Sequence, residues 1–479
     1  MPKKPRIVPP PPSEPAALVD FMMRSWRRPK PPSSRPLSNL DELRGRRARL
    51  SRRYRGQAVV IPTGREKFRV ADTTFRFRAG SDFFYLTGNP EPDCVLVLLP
   101  KGERGHEKVL FVEPNPGRSD RTFFTDRHKG ELWVGPRLGL EESRRRYGVD
   151  RTAALASLTK VLRELRRRRK KAHVLRGLAA EVDAALGRET DGDRELGIFL
   201  GEQRLKKSPS EVRSLVRAVH ATQRGFDDVI RALPSAKTER DVEGVFNARA
   251  RAEGNDVGYG TIAAAGAHAC ILHWTRNDGP LRARDLLLVD AGIEGHDLYT
   301  ADVTRTLPIG GRFSPAQRLV YDLVIEALLV ATRAVRPGAD FLAPHRAASH
   351  VLAHGLERLG ILPMSADVAL RDENQFYKRY SLHGTSHMLG LDVHDCDRAR
   401  PEHYRYGKLA PGMVLTVEPG LYFQMDDLTV PQRFRGIGIR VEDDVLVTAR
   451  GRRVLTRDIP RTAVDVEAWM QGLWTRRAS

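Results

Sequence analysis

Cysteine is scarce in these 479 residues: only Cys94, Cys270 and Cys396 occur, odd in number and far apart. That excludes a disulfide framework and a CxxC metal site, and a reducing cytoplasm is the expected setting. Aromatic residues make up only 7% of the chain. No apolar run approaches the ~20 residues that a helix needs to cross a bilayer, so a transmembrane protein is not expected. No repeat of about 20 to 50 residues is visible, which removes the solenoid classes. Acidic residues are the minority charge, 60 against 81 Lys and Arg, for a net +21. Such a balance favours polyanion contact without specifying any chemistry.

What is present is a globular mixture, 41% apolar and 29% charged. At ~150 residues per domain, the length predicts two to four domains with ample core. Residues 1–38 read as a disordered, Pro-rich basic tail, because Pro9 to Pro12 run unbroken and Pro29, Pro31, Pro32 and Pro36 follow. Proline fixes the backbone and lacks an N–H, so no helix or sheet is expected there. Residues 1–50 hold 12 basic and 4 acidic side chains, which is +8 of the total. A secretory signal fits poorly, since the apolar patch Ala16 to Met23 contains Asp20 and leads into prolines.

Residues 39–187 read as an N-terminal α/β domain, with Gln57 to Pro62 and Cys94 to Pro100 as short buried strands. A helix is expected from Ala153, ending in the basic run Arg166 to Lys171, a solvated end complementing the helix dipole. Residues 188–470 form the second predicted domain, and 471–479 a C-terminal tail. Ser208-Pro209-Ser210-Glu211 is a capping box, and Val212, Leu215, Val216, Val219, Phe226, Val229, Ile230 and Leu233 recur at helical spacing up to Pro234. Further helices are expected from Thr238 and from Ser314. Strands are expected at Leu286 to Val289, Val414 to Val417 and Ile437 to Val447. Helices cluster apart from strands, which favours an α+β fold.

Acidic residues sit at the ends of these apolar strands, where an unpaired charge costs several kcal/mol. A metal compensates such burial. Asp290 closes Leu286 to Val289, Asp302 follows in Thr300 to Thr306, Glu418 closes Val414 to Val417, and Glu442 lies in Gly438 to Asp444. The histidines gather in His383-Gly384-Thr385-Ser386-His387-Met388-Leu389-Gly390-Leu391-Asp392-Val393-His394-Asp395. His383 and His387 have the spacing of a zinc helix, but Gly384 stands where a zincin needs Glu. The two glycines disfavour a helix, and the alternation in Leu389 to Val393 predicts a loop leading into a strand.

His383 to Asp395 resembles the signature of the proline peptidases. Taken with Asp290, Asp302, Glu418 and Glu442, it resembles the pita-bread metallopeptidases, most closely the Xaa-Pro aminopeptidases (aminopeptidase P). The likeness extends to Cys270 to Trp274, Val289 to Gly292, Asp302 to Thr306, Pro411 to Tyr422 and Arg435 to Asp444, and in the first domain to Ser81 to Gly88 and Leu132 to Gly135. It implies a pita-bread domain behind a smaller α/β domain, and it covers roughly residues 40 to 470. It makes Asp290 a terminal ligand of one metal, His387 and Glu418 ligands of a second, and Asp302 and Glu442 bridges between them. His273, His383 and His394 match positions that line the active site without binding metal, with His394 the expected oxyanion donor. Arg440, two residues before Glu442, is expected to hold a bridging carboxylate.

Hard, mostly oxygen ligands suit Mn(II), Co(II) or Zn(II). Two divalent ions ~3.5–4 Å apart lower the pKa of a shared water, and the resemblance implies Mn(II). The expected activity is removal of an N-terminal residue when proline is second, with Glu418 relaying a proton to the proline nitrogen. A homo-oligomer, dimer or tetramer, is expected; membrane contact is not, and nucleic-acid contact through the tail is a minor alternative. The rivals are a prolidase confined to dipeptides and a non-catalytic pita-bread binding protein, which has no need of five intact ligands. Asp290 and Asp302 stand twelve apart where the family commonly has eleven, so the turn between them must absorb a residue. Thr385 and Met388 depart from the signature, and the segments Met364 to Tyr380 and Cys396 to Lys408 suggest different loops near the site.

Overall fold

A computed structural model describes residues 14–27, 34–102, 105–115 and 117–475. Two compact units divide between Gly197 and Ile198, within the helix Asp191–Arg204. No helix among the described residues is long and apolar enough to cross a membrane, and all three cysteines are free and buried.

The N-terminal unit is built on a five-stranded mixed sheet ordered Arg151–Ala154, His106–Val112, Val95–Pro100, Ala58–Pro62, Ala172–Val174. The three central strands pair antiparallel and each edge strand is parallel to its neighbour. Ala58–Pro62 is buried at every position, as a strand covered on both faces must be. Val60, Val97, Val109 and Phe111 pack against Leu158, Leu162 and Val182. Gly88 ends helix Ser81–Thr87 at φ 65°, and a Cβ there would lie 2.7 Å from Leu37 Cδ1, so only glycine closes this helix.

Three expectations fail in this unit and at the far terminus. Ala16–Met22 is a helix although it lies in the segment expected to lack structure; its seven residues contain no proline, and only Val19 is buried. Residues 1–13, with Pro9 to Pro12, and 28–33 lie outside the described residues. Ala153 starts no helix: Arg151–Ala154 pairs parallel with Val109 to Val112, so sheet pairing overrides local propensity. The helix is Leu158–Arg167, and the basic run leaves it through Arg169 at φ 48°. The predicted C-terminal tail continues helix Ala463–Thr475, which buries Met470 and Leu473; Trp474 Nε1 donates to the Ile230 carbonyl at 2.7 Å. Residues 476–479 lie outside the described residues.

The C-terminal unit runs twice through a helix pair followed by strands. Helices Pro209–Ala232 and Glu239–Glu253 begin at capping boxes on Ser208 and Thr238. They precede an antiparallel sheet ordered Thr304–Pro308, Leu286–Asp290, Ile262–Ala265. Helix Pro315–Ala334, capped by Ser314, and helix Ala343–Arg358 then precede Val414–Val417, Gly420–Tyr422, Gly438–Arg440, Asp443–Thr448 and Gly451–Val454. The observed class is α+β, and the main core joins Val320, Val324 and Leu328 to Leu352, Leu415, Leu421 and Ile439.

Two strand expectations are corrected here. Ile437 to Val447 is not one strand: Gly438–Arg440 pairs with Gly420–Tyr422, whereas Asp443–Thr448 pairs with Val414–Val417. The chain changes partner at Val441 and Glu442. Leu389 to Val393 forms no strand either. Met388 makes a single bridge to Leu415, after which the Gly390 N–H turns back to the Asp392 carbonyl.

Candidate metal centre and substrate cavity

Strand ends in the C-terminal unit converge on one cavity of about 680 Å³. Asp290 ends its strand opposite Thr304. Asp302 lies two residues before Thr304 on the return path, and the connecting turn carries Leu298 at φ 62°. Glu418 follows Val414–Val417, and Glu442 occupies the break where the chain changes sheets. His383, His387 and His394 come from the irregular segment beside them. All nine expected residues, His273, Asp290, Asp302, His383, His387, His394, Glu418, Arg440 and Glu442, line this cavity.

Ligand atoms of Asp302, His387 and Glu442 lie within 4.8 Å of one another. His387 Nε2 is 3.3 Å from Asp302 Oδ2 and 3.4 Å from Glu418 Oε1. The Arg440 guanidinium meets a different carboxylate from the one its spacing suggested. Nη2 donates to Asp290 Oδ2 at 2.5 Å, and Glu442 is reached only through Thr304: Arg440 Nε donates to Thr304 Oγ1, which donates to Glu442 Oε2 at 2.6 Å.

Negative charge exceeds positive in this buried space. Burial, reinforced by Asp302, Glu418 and Asp290, pushes the Glu442 carboxyl well above its ordinary range. Burial also raises Asp290 against the opposing pull of Arg440, and raises Glu418 to about 7 against that of His387. His387 rises to about 9, because Asp302 and Glu418 outweigh the effect of burial. Burial, aided by Arg440, lowers His383 to about 4. Glu442 Oε1 and Asp444 Oδ1 are buried and accept no hydrogen bond from the described residues. Crowded carboxylates with idle buried oxygens beside the His387 imidazole fit hard divalent cations.

Several contributors escaped the sequence reading. Tyr259 OH lies 2.7 Å from Asp290 Oδ1 and also hydrogen-bonds Asp302. Asp444 Oδ2 accepts from the Asp302 N–H at 3.3 Å. Tyr422 OH sits 2.8 Å from His383 Nε2 and accepts from Arg440 Nη1 at 2.9 Å. Arg305, fully buried, donates to the Glu442 carbonyl at 2.6 Å and to Asp443 Oδ1 at 3.0 Å, fixing the backbone that carries Glu442. Tyr259 carries no positional signal of its own, whereas Arg305, Tyr422 and Asp444 were visible only as parts of the motifs around Asp302, Glu418 and Glu442.

The flanking histidines differ in setting. His394 is solvent-facing and packs edge-on against His387 with ring centroids 4.3 Å apart. His273 is exposed on the opposite loop, and Ile262, Leu272 and Val393 supply apolar wall between these polar groups.

Residues 213–449 match metallopeptidase family M24, and residues 43–175 match the N-terminal domain of aminopeptidase P. The chain is 47% identical over 460 residues to Xaa-Pro aminopeptidase 1 of Streptomyces coelicolor, covering 95% of this chain and 92% of that one. It is 35% identical over 449 residues to the Xaa-Pro aminopeptidase of Escherichia coli, covering 91% and 98% respectively. The solved structure of E. coli aminopeptidase P with the inhibitor Pro-Leu aligns at a TM-score of 0.80 and 33% identity, over 92% of this chain and 100% of that one. This chain therefore belongs to metallopeptidase family M24, among its Xaa-Pro aminopeptidases, and its C-terminal unit has the pita-bread fold.

Proposed function

We propose that this protein is a metal-dependent aminopeptidase that releases the N-terminal residue from peptides with proline second. The observation that carries the reading is the convergence of Asp290, Asp302, His387, Glu418 and Glu442 on one cavity in a chain of this family. Asp290, Asp302, His387, Glu418 and Glu442 are the residues that would hold two divalent ions in this cavity. Mn(II) is the proposed metal because the family resemblance implies it; the ligand set by itself suits Co(II) or Zn(II) equally. When bound, the ions supply Lewis acidity that activates water and polarises the scissile carbonyl.

The chain's own groups do the remaining work. A bond to proline is a tertiary amide without N–H, so the cavity needs shape and apolar wall where other peptidases use a donor; Ile262, Leu272 and Val393 provide it. His383, low in basicity and hydrogen-bonded to Tyr422, presents a neutral ring, and with His273 contacts the residues flanking the scissile bond. His394 donates to the oxygen on which negative charge develops. Glu418 carries the proton to the proline nitrogen, so that the leaving group departs as a neutral amine. Arg440 orients Asp290 directly and Glu442 through Thr304, as groups behind ligands commonly do. The cytoplasm is the proposed location, consistent with three free, buried cysteines.

The test is metal-loaded protein offered Xaa-Pro dipeptides beside longer Xaa-Pro peptides. Release of the first residue from tripeptides is expected, with loss on chelation and recovery with Mn(II). Turnover confined to dipeptides identifies a prolidase, and none on either substrate favours a binding protein.

A further inference from the structure

Glu239 opens helix Glu239–Glu253, and its side chain is completely buried. A carboxylate in that position is costly unless donors surround it, and four do. Oε1 accepts from the Ala265 N–H at 2.7 Å and from His268 Nδ1 at 2.8 Å. Oε2 accepts from the Trp274 indole N–H at 2.8 Å and from the Gly279 N–H at 2.7 Å. The Glu239 N–H in turn donates to the Gly279 carbonyl at 2.9 Å.

All four donors belong to one segment, 265–279, which leaves strand Ile262–Ala265 and carries His273 to the cavity wall. The carboxylate ties its two ends and its middle to a single point. The His268 and Trp274 rings stack with centroids 4.0 Å apart, so imidazole, indole and carboxylate form one block. A Cβ at Gly279 would lie 2.6 Å from His268 Cε1 and 2.9 Å from Glu239 Oε1, so the clamp closes only over glycine. The outer side is held by Gln424 Nε2 donating to the Cys270 carbonyl at 2.9 Å. His273 is exposed, and among the described residues its imidazole has no hydrogen-bond partner. Its place is therefore set by the backbone and by Trp274 beside it.

We propose that Glu239 is a positioning residue for the peptidase reaction: its carboxylate clamps segment 265–279 so that His273 faces the substrate cavity. The inference rests on the assignment of His273 to the substrate-contacting wall. An amide cannot replace the carboxylate, because two donors point at each oxygen and the NH₂ of glutamine would confront one pair.

The test combines hydrogen–deuterium exchange with a double-mutant cycle on full-length, metal-loaded protein. E239Q should raise deuterium uptake in peptides spanning 262–280 while metal content stays at the wild-type level. It should lower kcat/KM about 10-fold or more alongside His273, yet cost almost nothing further in the H273A background, as coupled residues do. Unchanged uptake in 262–280 overturns the clamp. An equal penalty with and without His273 also overturns it, by showing a general structural role. W274F, which keeps an aromatic ring but loses one donor, should act in the same direction with a smaller effect, and it serves if E239Q folds poorly. Wild-type protein that leaves Xaa-Pro peptides intact refutes the proposed function, while the exchange measurement still decides the clamp.

Discussion

Lys207 Nζ donates to Asp395 Oδ2 at 3.0 Å between two side chains that are each 1% exposed, 188 residues apart in sequence. Arg204 Nη2 lies 3.2 Å from the other oxygen, Oδ1. Asp395 follows His394, and its carboxylate fills the space over Gly390, where a Cβ would come within 2.1 Å of Oδ2. The Lys207 N–H also holds the Gly412 carbonyl at 2.7 Å. The segment that presents His387 and His394 is thereby fastened from beneath.

This pair predicts a pH window for stability. Burial alone raises the Asp395 carboxyl, but Lys207 and Arg204 outweigh it and the net shift is downward. Burial alone lowers the Lys207 ammonium, but Asp395 outweighs it and the net shift is upward. Depression of Asp395 gives stability that is full above its unfolded value of about 3.9 and disappears as pH falls through its folded value. Elevation of Lys207 gives stability that is full below about 10.4 and disappears as pH rises through its folded value. K207M should cost about 1.5–3 kcal/mol at neutral pH, because buried Asp395 loses a charged hydrogen-bond partner and keeps only Arg204. Urea unfolding from pH 3 to 8 should show that penalty constant at neutral pH and shrinking in acid; a penalty independent of pH contradicts the pair's role.

Asp302→Asn should lose metal and activity together, because a neutral amide cannot bridge two cations as a carboxylate does. Elemental analysis beside peptide hydrolysis decides it, and full metal occupancy in the variant removes Asp302 from the ligand set.

His394→Ala should keep its metals yet turn over slowly, since it removes a donor whose interaction strengthens as the oxyanion forms. Loss of one such donor costs on the order of 100-fold to 1000-fold in rate. A variant emptied of metal would falsify the placement of His394 outside the coordination sphere and reopen the choice of His387 as sole histidine ligand.

Tyr259→Phe removes the hydroxyl that bonds both Asp290 and Asp302 while keeping the ring. Loss of such a contact behind metal ligands should weaken metal binding roughly 10-fold to 100-fold. Competition against a chelator of known affinity measures this directly, and unchanged affinity assigns the tyrosine a role in packing alone.

The sequence by itself determined the helix starts at Ser208 and Ser314, because a capping box is written in four consecutive residues. Apolar strands ending in acids, together with the histidine segment, were enough to collect the candidate site. Those features are local, or belong to motifs that keep their spacing. What only the tertiary structure decided depends on partners distant in the chain. Arg151–Ala154 is a strand because Val109 to Val112 lies beside it. Ile437 to Val447 breaks at Glu442 because its two halves find different sheets. Arg440 grips Asp290 rather than Glu442, and Tyr259, Lys207 and Glu239 acquire their work from groups up to 188 residues away. A buried charge is satisfied by whatever donors the fold brings within about 3 Å, and no residue's own neighbours in sequence say which donors those will be.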